Sequence, residues 1–118
     1  MTPGDAFFLT IADSHRFFVV YAELPPLAKV VILNFTTHYP GMCDETCIVT
    51  SVEYSGIDHD SVIAYRHGLL LEGDELRNFR SRMGTSLPSI GTVTLEKIVL
   101  GALTSPFTAR KIKRLLEP

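Results

Sequence analysis

Two polar segments of the chain contain residue types that act together on phosphodiesters. Arg16 opens the apolar run RFFVVY, and Thr36-Thr37-His38 follows the run KVVILNF. If these runs are neighbouring antiparallel strands, the start of one lies beside the end of the other. A guanidinium stabilises an anionic phosphorane, hydroxyls donate hydrogen bonds to phosphate oxygens, and an imidazole transfers protons near neutral pH. We therefore predict Arg16, Thr36, Thr37 and His38 as catalytic residues. The alternative is a solvated strand-edge arginine beside a β-branched strand end.

A second set of candidates is His59-Asp60-Ser61, followed by Tyr65. The residue types match a catalytic triad, but residues adjacent in sequence rarely direct their side chains at one another. A loop-to-strand junction in which Asp60 and Ser61 satisfy turn amides explains the same sequence. We predict that His59 faces the site as a further catalytic residue. We expect His15, Ser61 and Tyr65 to contact the substrate.

The two cysteines raise the alternative of a zinc site. The pattern His38-x4-Cys43-x3-Cys47, with His59 further on, supplies the thiols and imidazoles that tetrahedral zinc prefers. Zinc knuckles have two residues between their cysteines, however, and Cys47 begins an apolar run in which it would be buried. We predict neither a metal nor a cofactor. The start of the chain lacks the pattern of a secretory signal, so we expect a cytoplasmic protein with reduced thiols.

Charge limits the kind of nucleic-acid contact that the chain can make. The formal net charge is −2, whereas broad nucleic-acid surfaces carry a basic excess. Positive charge is dense only near the end, at Arg110, Lys111, Lys113 and Arg114. Such a run is usually the solvated side of an amphipathic helix. As a local patch it makes Arg110 and Lys113 candidates for binding RNA or a partner.

The length and composition favour one globular domain over residues 1–118. Hydrophobic residues make up 46% of the sequence and charged residues 20%, which is ordinary for a folded domain. No apolar run approaches the ~18 residues of a membrane-spanning helix. We therefore expect no membrane partner.

Residues 4–66 have the alternation and turn residues of short strands. The first two strands are predicted to form a hairpin through a compact turn at Asp13-Ser14-His15, and Leu24-Pro25-Pro26-Leu27 interrupts the pattern afterwards. The β-branched third run indicates a central strand with both faces covered. We predict five strands, at Asp5–Ile11, Arg16–Tyr21, Lys29–Phe35, Thr46–Glu53 and Ser61–Tyr65. They favour a small barrel or a half-open roll.

The end of the chain changes to helical periodicity. Residues 94–103 carry apolar side chains at helical spacing, at Leu95, Ile98, Val99, Ala102 and Leu103. Ser105-Pro106 is typical of a helix start, which predicts a second helix over 106–116. Residues 69–92 fit either a strand or a short helix, and both alternatives stay open.

The order of these features resembles the PemK/MazF family of toxin endoribonucleases. The likeness consists of Gly4-Asp5 at the first strand, Arg16 before an apolar strand, Thr36-Thr37 ending the next, Asp60-Ser61-Val62 at a later strand start, and an amphipathic C-terminal helix. It covers most of residues 4–103. The resemblance implies a small SH3-like β-barrel, a homodimer, an antitoxin partner, and cleavage of single-stranded RNA without a metal, with Arg16 and Thr36 or Thr37 as the catalytic pair. A non-catalytic module that binds protein or nucleic acid remains the alternative.

Overall fold

The computed structural model describes residues 1–10 and 15–118, and a single antiparallel sheet organises them. The strands are β1 (Ala6–Leu9), β2 (Phe17–Ala22), β3 (Val30–Thr37), β4 (Ile48–Val49), β5 (Ser61–Ile63), β6 (Leu69–Leu71) and β7 (Met83–Leu87). The helices are α1 (Gly73–Ser81), α2 (Thr92–Thr104) and α3 (Arg110–Leu116), and a 3-10 turn spans Tyr65–His67. The prediction of a mainly β fold with C-terminal helices is confirmed.

The strand β3 is the centre of the sheet, as its β-branched sequence predicted. Its first six residues are buried, and it pairs with β2 along one edge. On the other edge β6 pairs with the first half of β3 and β5 with the last three residues. The main path runs β4-β5-β3-β2-β1-β7. Within the described residues the sheet does not close, so the open alternative applies rather than a closed barrel.

Apolar side chains cover both faces of this sheet. On one face Val31, Leu33 and Phe35 pack with residues of α2 and α3 such as Ile98. On the opposite face Val30, Ile32 and Phe7 pack with Leu76 and Phe79 of α1. The assignment follows the two-residue alternation along β3. This alternation decides which residues at the end of β3 share a surface.

The predicted hairpin of the first two strands is present, because Ala6 pairs with Phe18 and Phe7 with Phe17. Of the predicted turn, Asp13 and Ser14 lie outside the described residues. Residues 69–92 contain β6, α1, β7 and the first residue of α2, so this region combines strand and helix. In the part of the chain described by the structure, no helix has the length and apolar character to cross a membrane.

The predicted fourth strand over Thr46–Glu53 is wrong except at Ile48–Val49. Thr50 and Glu53 bond reciprocally: the Thr50 N–H donates to Glu53 Oε1 at 3.0 Å, and the Glu53 N–H donates to Thr50 Oγ1 at 3.2 Å. This is the capping-box arrangement, and Thr-x-x-Glu is its sequence signature. It ends β4 after two residues, because the Tyr54 N–H also turns back to the Thr50 carbonyl.

The predicted start of the last helix is also wrong, because α3 begins at Arg110 rather than Pro106. The Ser105 N–H still donates to the Gly101 carbonyl and so ends α2. The Ser105 hydroxyl accepts the Phe107 N–H at 3.1 Å and donates to Asp44 Oδ2 at 2.6 Å. Ser105 therefore stabilises the turn between the helices, and its hydrogen bond with the Phe107 N–H does not start a helix.

Candidate functional site

The antiparallel pairing of β2 and β3 brings Arg16 to the end of β3. The Phe35 N–H donates to the Arg16 carbonyl at 3.0 Å, which places these residues opposite each other. At this point a cleft of about 220 Å³ opens at the end of the sheet. We call it the rim cleft, and its lining consists of His15, Arg16, Phe35, Thr36, Thr37, His59 and Ser61. Four of the five residues predicted as catalytic are among them.

The alternation along β3 separates the two threonines. Directly opposed residues project to the same face of a sheet, so Arg16 shares the face of Phe35. Thr37, two residues further along, lies on that face together with its partner Ser61. Thr36 pairs with Val62 and projects to the opposite face. Thr37 is therefore the threonine on the Arg16 face, and Thr36 forms the boundary of the cleft.

The guanidinium of Arg16 is held in a partly enclosed position with donor capacity left over. Its side chain is 25% exposed, and its central carbon lies 5.2 Å from the ring centroid of Phe8. Nη2 is 3.9 Å from Asp58 Oδ2, which is a long ion pair. Nε is buried without a hydrogen-bond partner among the described residues. The exposed part of the guanidinium lines the cleft, and a fixed positive charge there favours an anionic ligand.

A chain of hydrogen bonds links Asp58, His59 and Thr37. The Asp58 carboxylate lies 2.5 Å from His59 Nδ1, and His59 Nε2 lies 3.1 Å from Thr37 Oγ1. An ionised carboxylate only accepts, so we assign the ring proton to Nδ1. Nε2 then accepts a hydrogen bond from the Thr37 hydroxyl. The hydrogen bond from His59 lowers the pKa of Asp58, and the nearby Arg16 charge acts in the same direction.

Sequence reasoning missed Asp58 because it treated the interaction of adjacent side chains as improbable. The turn at residues 58–60 brings the Asp58 and His59 side chains together, so the His59 imidazole contacts the side chains of Asp58 and Thr37 rather than those of Asp60 and Ser61. The Ser61 hydroxyl donates to the His59 carbonyl at 3.1 Å and so fixes the loop. His15 lies at the exposed mouth of the cleft, with its ring edge-on to Phe17.

His38 does not enter the rim cleft, although it was predicted as catalytic. Its Nε2 lies 2.6 Å from Glu45 Oε2, and Glu45 Oε1 also accepts the Gly41 N–H. The hydrogen bond with His38 lowers the pKa of Glu45. The imidazole therefore closes the 38–45 loop, because its place beyond the end of β3 directs it to that loop.

Three of the predicted substrate contacts also lie elsewhere. Tyr65 is only 1% exposed, and its hydroxyl donates to the Ile98 carbonyl of α2 at 2.7 Å, so its ring belongs to the core. Arg110 and Lys113 lie on α3 and do not line the cleft. We call α3 the basic helix, because it carries Arg110, Lys111, Lys113 and Arg114. Its buried residue Ile112 packs into the core on the α2 side of the sheet.

The alternative zinc ligands are not assembled. Cys43 Sγ donates to the Tyr39 carbonyl, and Cys47 is buried with its pKa raised by burial. Across residues 1–10 and 15–118, no three His, Cys, Asp or Glu side chains are grouped as a metal site.

The rim cleft can bind an anion and accept a proton. Arg16 supplies fixed positive charge, and His59 Nε2 supplies a base that Asp58 holds in one tautomer. The His15 ring packs against Phe17, whose ring lies with the α1 cluster. Comparison with protein-family models and with curated proteins finds no match to this chain.

Proposed function

We propose that this chain is an endoribonuclease that cleaves single-stranded RNA through attack of the ribose 2′-hydroxyl on the adjacent phosphate. The observation that carries the proposal is the Asp58–His59–Thr37 hydrogen-bond chain in the same cleft as the Arg16 guanidinium. Acid–base groups and an anion site within one small cleft are what phosphodiester transesterification requires.

The cleft residues take distinct roles in this reaction. The substrate 2′-hydroxyl replaces the Thr37 hydroxyl as the hydrogen-bond donor to His59 Nε2, which accepts its proton as the bond from the 2′-oxygen to phosphorus forms. Arg16 stabilises the charge that develops on the phosphorane oxygens, and Thr37 donates a hydrogen bond to one of them. A water molecule at the opening of the cleft protonates the 5′-oxygen as its bond to phosphorus breaks. The products are a 2′,3′-cyclic phosphate and a free 5′-hydroxyl. Asp58 positions His59 and does not touch the substrate.

Single-stranded RNA is the favoured substrate because the attacking and leaving oxygens must stand opposite each other across phosphorus. A regular A-form duplex does not allow that arrangement, whereas an unpaired strand can splay into it. The toxin-like part of the proposal, with a homodimer, an antitoxin partner and a cytoplasmic location, rests on the residue order of the PemK/MazF resemblance. The two free thiols suit a reducing compartment.

The test is cleavage of a mixed-sequence single-stranded RNA by the purified protein in the presence of a chelator. We expect cyclic-phosphate ends, and a loss of about 100-fold or more in kcat/KM for Arg16→Ala and for His59→Gln. His38→Gln is the matched control, since His38 also bonds a carboxylate but lies outside the cleft. Intact RNA with the natural protein, or cleavage undiminished in Arg16→Ala, refutes the proposal.

A module that binds nucleic acid or protein through α3 is the second candidate. Among the described residues, none of the four cations of the basic helix forms an ion pair, so their charge is available to an acidic partner. This function predicts that Arg110→Glu with Lys113→Glu abolishes partner binding while Arg16→Ala leaves it intact. The endoribonuclease predicts the reverse order of sensitivity.

A further inference from the structure

A second hollow lies beside the rim cleft, and Thr36 is part of the lining of both. This lateral hollow has a volume of about 470 Å³. Its lining includes Thr36, Asp44, Arg66 and Phe107. Thr36 separates the two hollows, which open on either side of the end of β3. A chain-like ligand with its phosphate in the rim cleft reaches the lateral hollow with its neighbouring group by passing around this strand end.

One wall of the lateral hollow is a preformed stacking surface. The guanidinium carbon of Arg66 lies 4.3 Å from the ring centroid of Phe107. Both residues are exposed, Phe107 by 43%, which is unusual for a large apolar ring. Phe107 is fixed by its N–H bond to Ser105 Oγ, and Arg66 lies in the 3-10 turn at Tyr65–His67. A guanidinium plane held over an aromatic ring is a surface on which nucleobases stack.

Asp44 supplies a hydrogen-bond acceptor at this hollow. Its Oδ1 accepts the backbone N–H and the hydroxyl of Thr46, and its Oδ2 accepts the Ser105 hydroxyl at 2.6 Å. Each carboxylate oxygen has two lone pairs, so one lone pair of Oδ2 is still available. Burial raises the pKa of Asp44, but the bonds from Ser105 and Thr46 outweigh this effect and lower it, so the group stays ionised. The free position suits the exocyclic amino group of a nucleobase.

We infer that the lateral hollow is a nucleobase subsite for the nucleotide next to the cleaved phosphate, with a preference for bases that carry an exocyclic amino group. The connection to cleavage rests on the proposed function, whereas base binding itself does not. Stacking on Phe107 and Arg66 recognises the base plane, and Asp44 recognises its amino edge. A phosphate in this hollow would be repelled by Asp44, and a purely apolar ligand would leave the carboxylate without its further partner.

The test uses short single-stranded deoxyoligonucleotides that each contain one base type. They lack the 2′-hydroxyl and cannot be cleaved, so fluorescence anisotropy reports binding alone. We expect the natural protein to bind oligomers of adenine, cytosine or guanine more tightly than oligothymidine. Phe107→Ala should weaken that binding roughly tenfold, as the loss of one stacked base does. Leu100→Ala is the control, since Leu100 is an exposed apolar residue of α2 outside the hollow.

The outcomes separate this inference from the proposed function. Phe107-dependent binding in a protein that cleaves no RNA supports the subsite and refutes the nuclease. RNA cleavage by a protein whose deoxyoligonucleotide binding is unchanged in Phe107→Ala supports the nuclease and overturns the subsite. Oligothymidine bound as tightly as the other oligomers overturns the amino-group preference and with it the role of Asp44.

Discussion

Replacing Gly101 by alanine tests how closely α2 packs on the sheet. Gly101 is buried within α2, and a Cβ added there would overlap the Tyr65 hydroxyl and lie 3.0 Å from Cys47 Cβ. In an unconstrained helix the same change stabilises by about 1 kcal/mol. Here the overlap must move a buried ring, which costs about 1–3 kcal/mol, and it breaks the hydrogen bond from Tyr65 to the Ile98 carbonyl, worth about 1 kcal/mol. We expect a net destabilisation of about 1–3 kcal/mol.

A double-mutant cycle with Tyr65→Phe isolates the cause. Tyr65→Phe alone should cost about 1 kcal/mol, because it removes the bond to Ile98. In that background Gly101→Ala meets only the ring carbon at 3.1 Å and Cys47 at 3.0 Å, which small shifts can relieve. Gly101→Ala should then cost little. The destabilisation of the double variant should therefore be smaller than the sum of the two single destabilisations by about 2 kcal/mol.

Urea unfolding followed by circular dichroism measures all four proteins of the cycle. An unchanged denaturant slope in each variant is the control that two-state unfolding is preserved. If Gly101→Ala alone raises the free energy of unfolding, the helix at this position is not packed against Tyr65. Additive effects in the double variant would likewise refute the steric explanation.

Four further predictions concern single residues. Gly4→Ala should destabilise by about 1–3 kcal/mol in urea unfolding, since φ is +96° and its Cβ would lie 2.9 Å from a backbone carbonyl oxygen. Gly41→Ala, at φ +77° in open space, should cost about 1 kcal/mol. Burial raises the pKa of Tyr54 to about 12, above the ~10 of an unfolded tyrosine. The stabilisation that the raised Tyr54 pKa contributes is therefore complete below about pH 10. It declines between about pH 10 and 12, by at most about 1.4 kcal/mol per pH unit. Urea unfolding at each pH measures this decline. Asp58→Asn should reduce RNA cleavage about 10- to 100-fold, whereas Asp60→Asn should not change it.

Each of these has an outcome that contradicts it. Equal costs for Gly4→Ala and Gly41→Ala would mean that the close approach at Gly4 contributes nothing. A Tyr54→Phe variant that loses stability as steeply as the natural protein above about pH 10 would remove Tyr54 as the cause. Cleavage by Asp58→Asn at the rate of Asp60→Asn would separate Asp58 from the reaction.

Much of the sheet could be predicted because its information is local. A β-branched run such as residues 30–35 is stable as a strand only when both faces are covered, and the observed centre of the sheet is that run. The hairpin of the first two strands follows from the same alternation. These patterns also brought Arg16 beside Thr37, because antiparallel pairing alone fixes which strand ends meet.

The element boundaries that were predicted wrongly lie where the sequence carries competing signals. Ser105-Pro106 has the residue types of a helix start, yet the Ser105 hydroxyl bonds to Asp44, 61 residues earlier in the chain. The Thr50-x-x-Glu53 pattern of a capping box was present in the sequence, but the strand-forming residues around it led to the prediction of a strand. Residues 69–92 fit strand and helix alike, and pairing with β3 and β1 decided which parts became strand.

By itself, the sequence determined a mainly β fold, its central strand, and the meeting of a guanidinium with a threonine pair at one end of the sheet. The tertiary structure decided that Thr37 rather than Thr36 shares the Arg16 face, that Asp58 rather than Asp60 holds His59, and that His38 and Tyr65 serve the loop and the core. The physical reason is that strand periodicity is encoded within a few residues. The direction of a side chain leaving a loop depends on the backbone path, which packing of distant segments fixes.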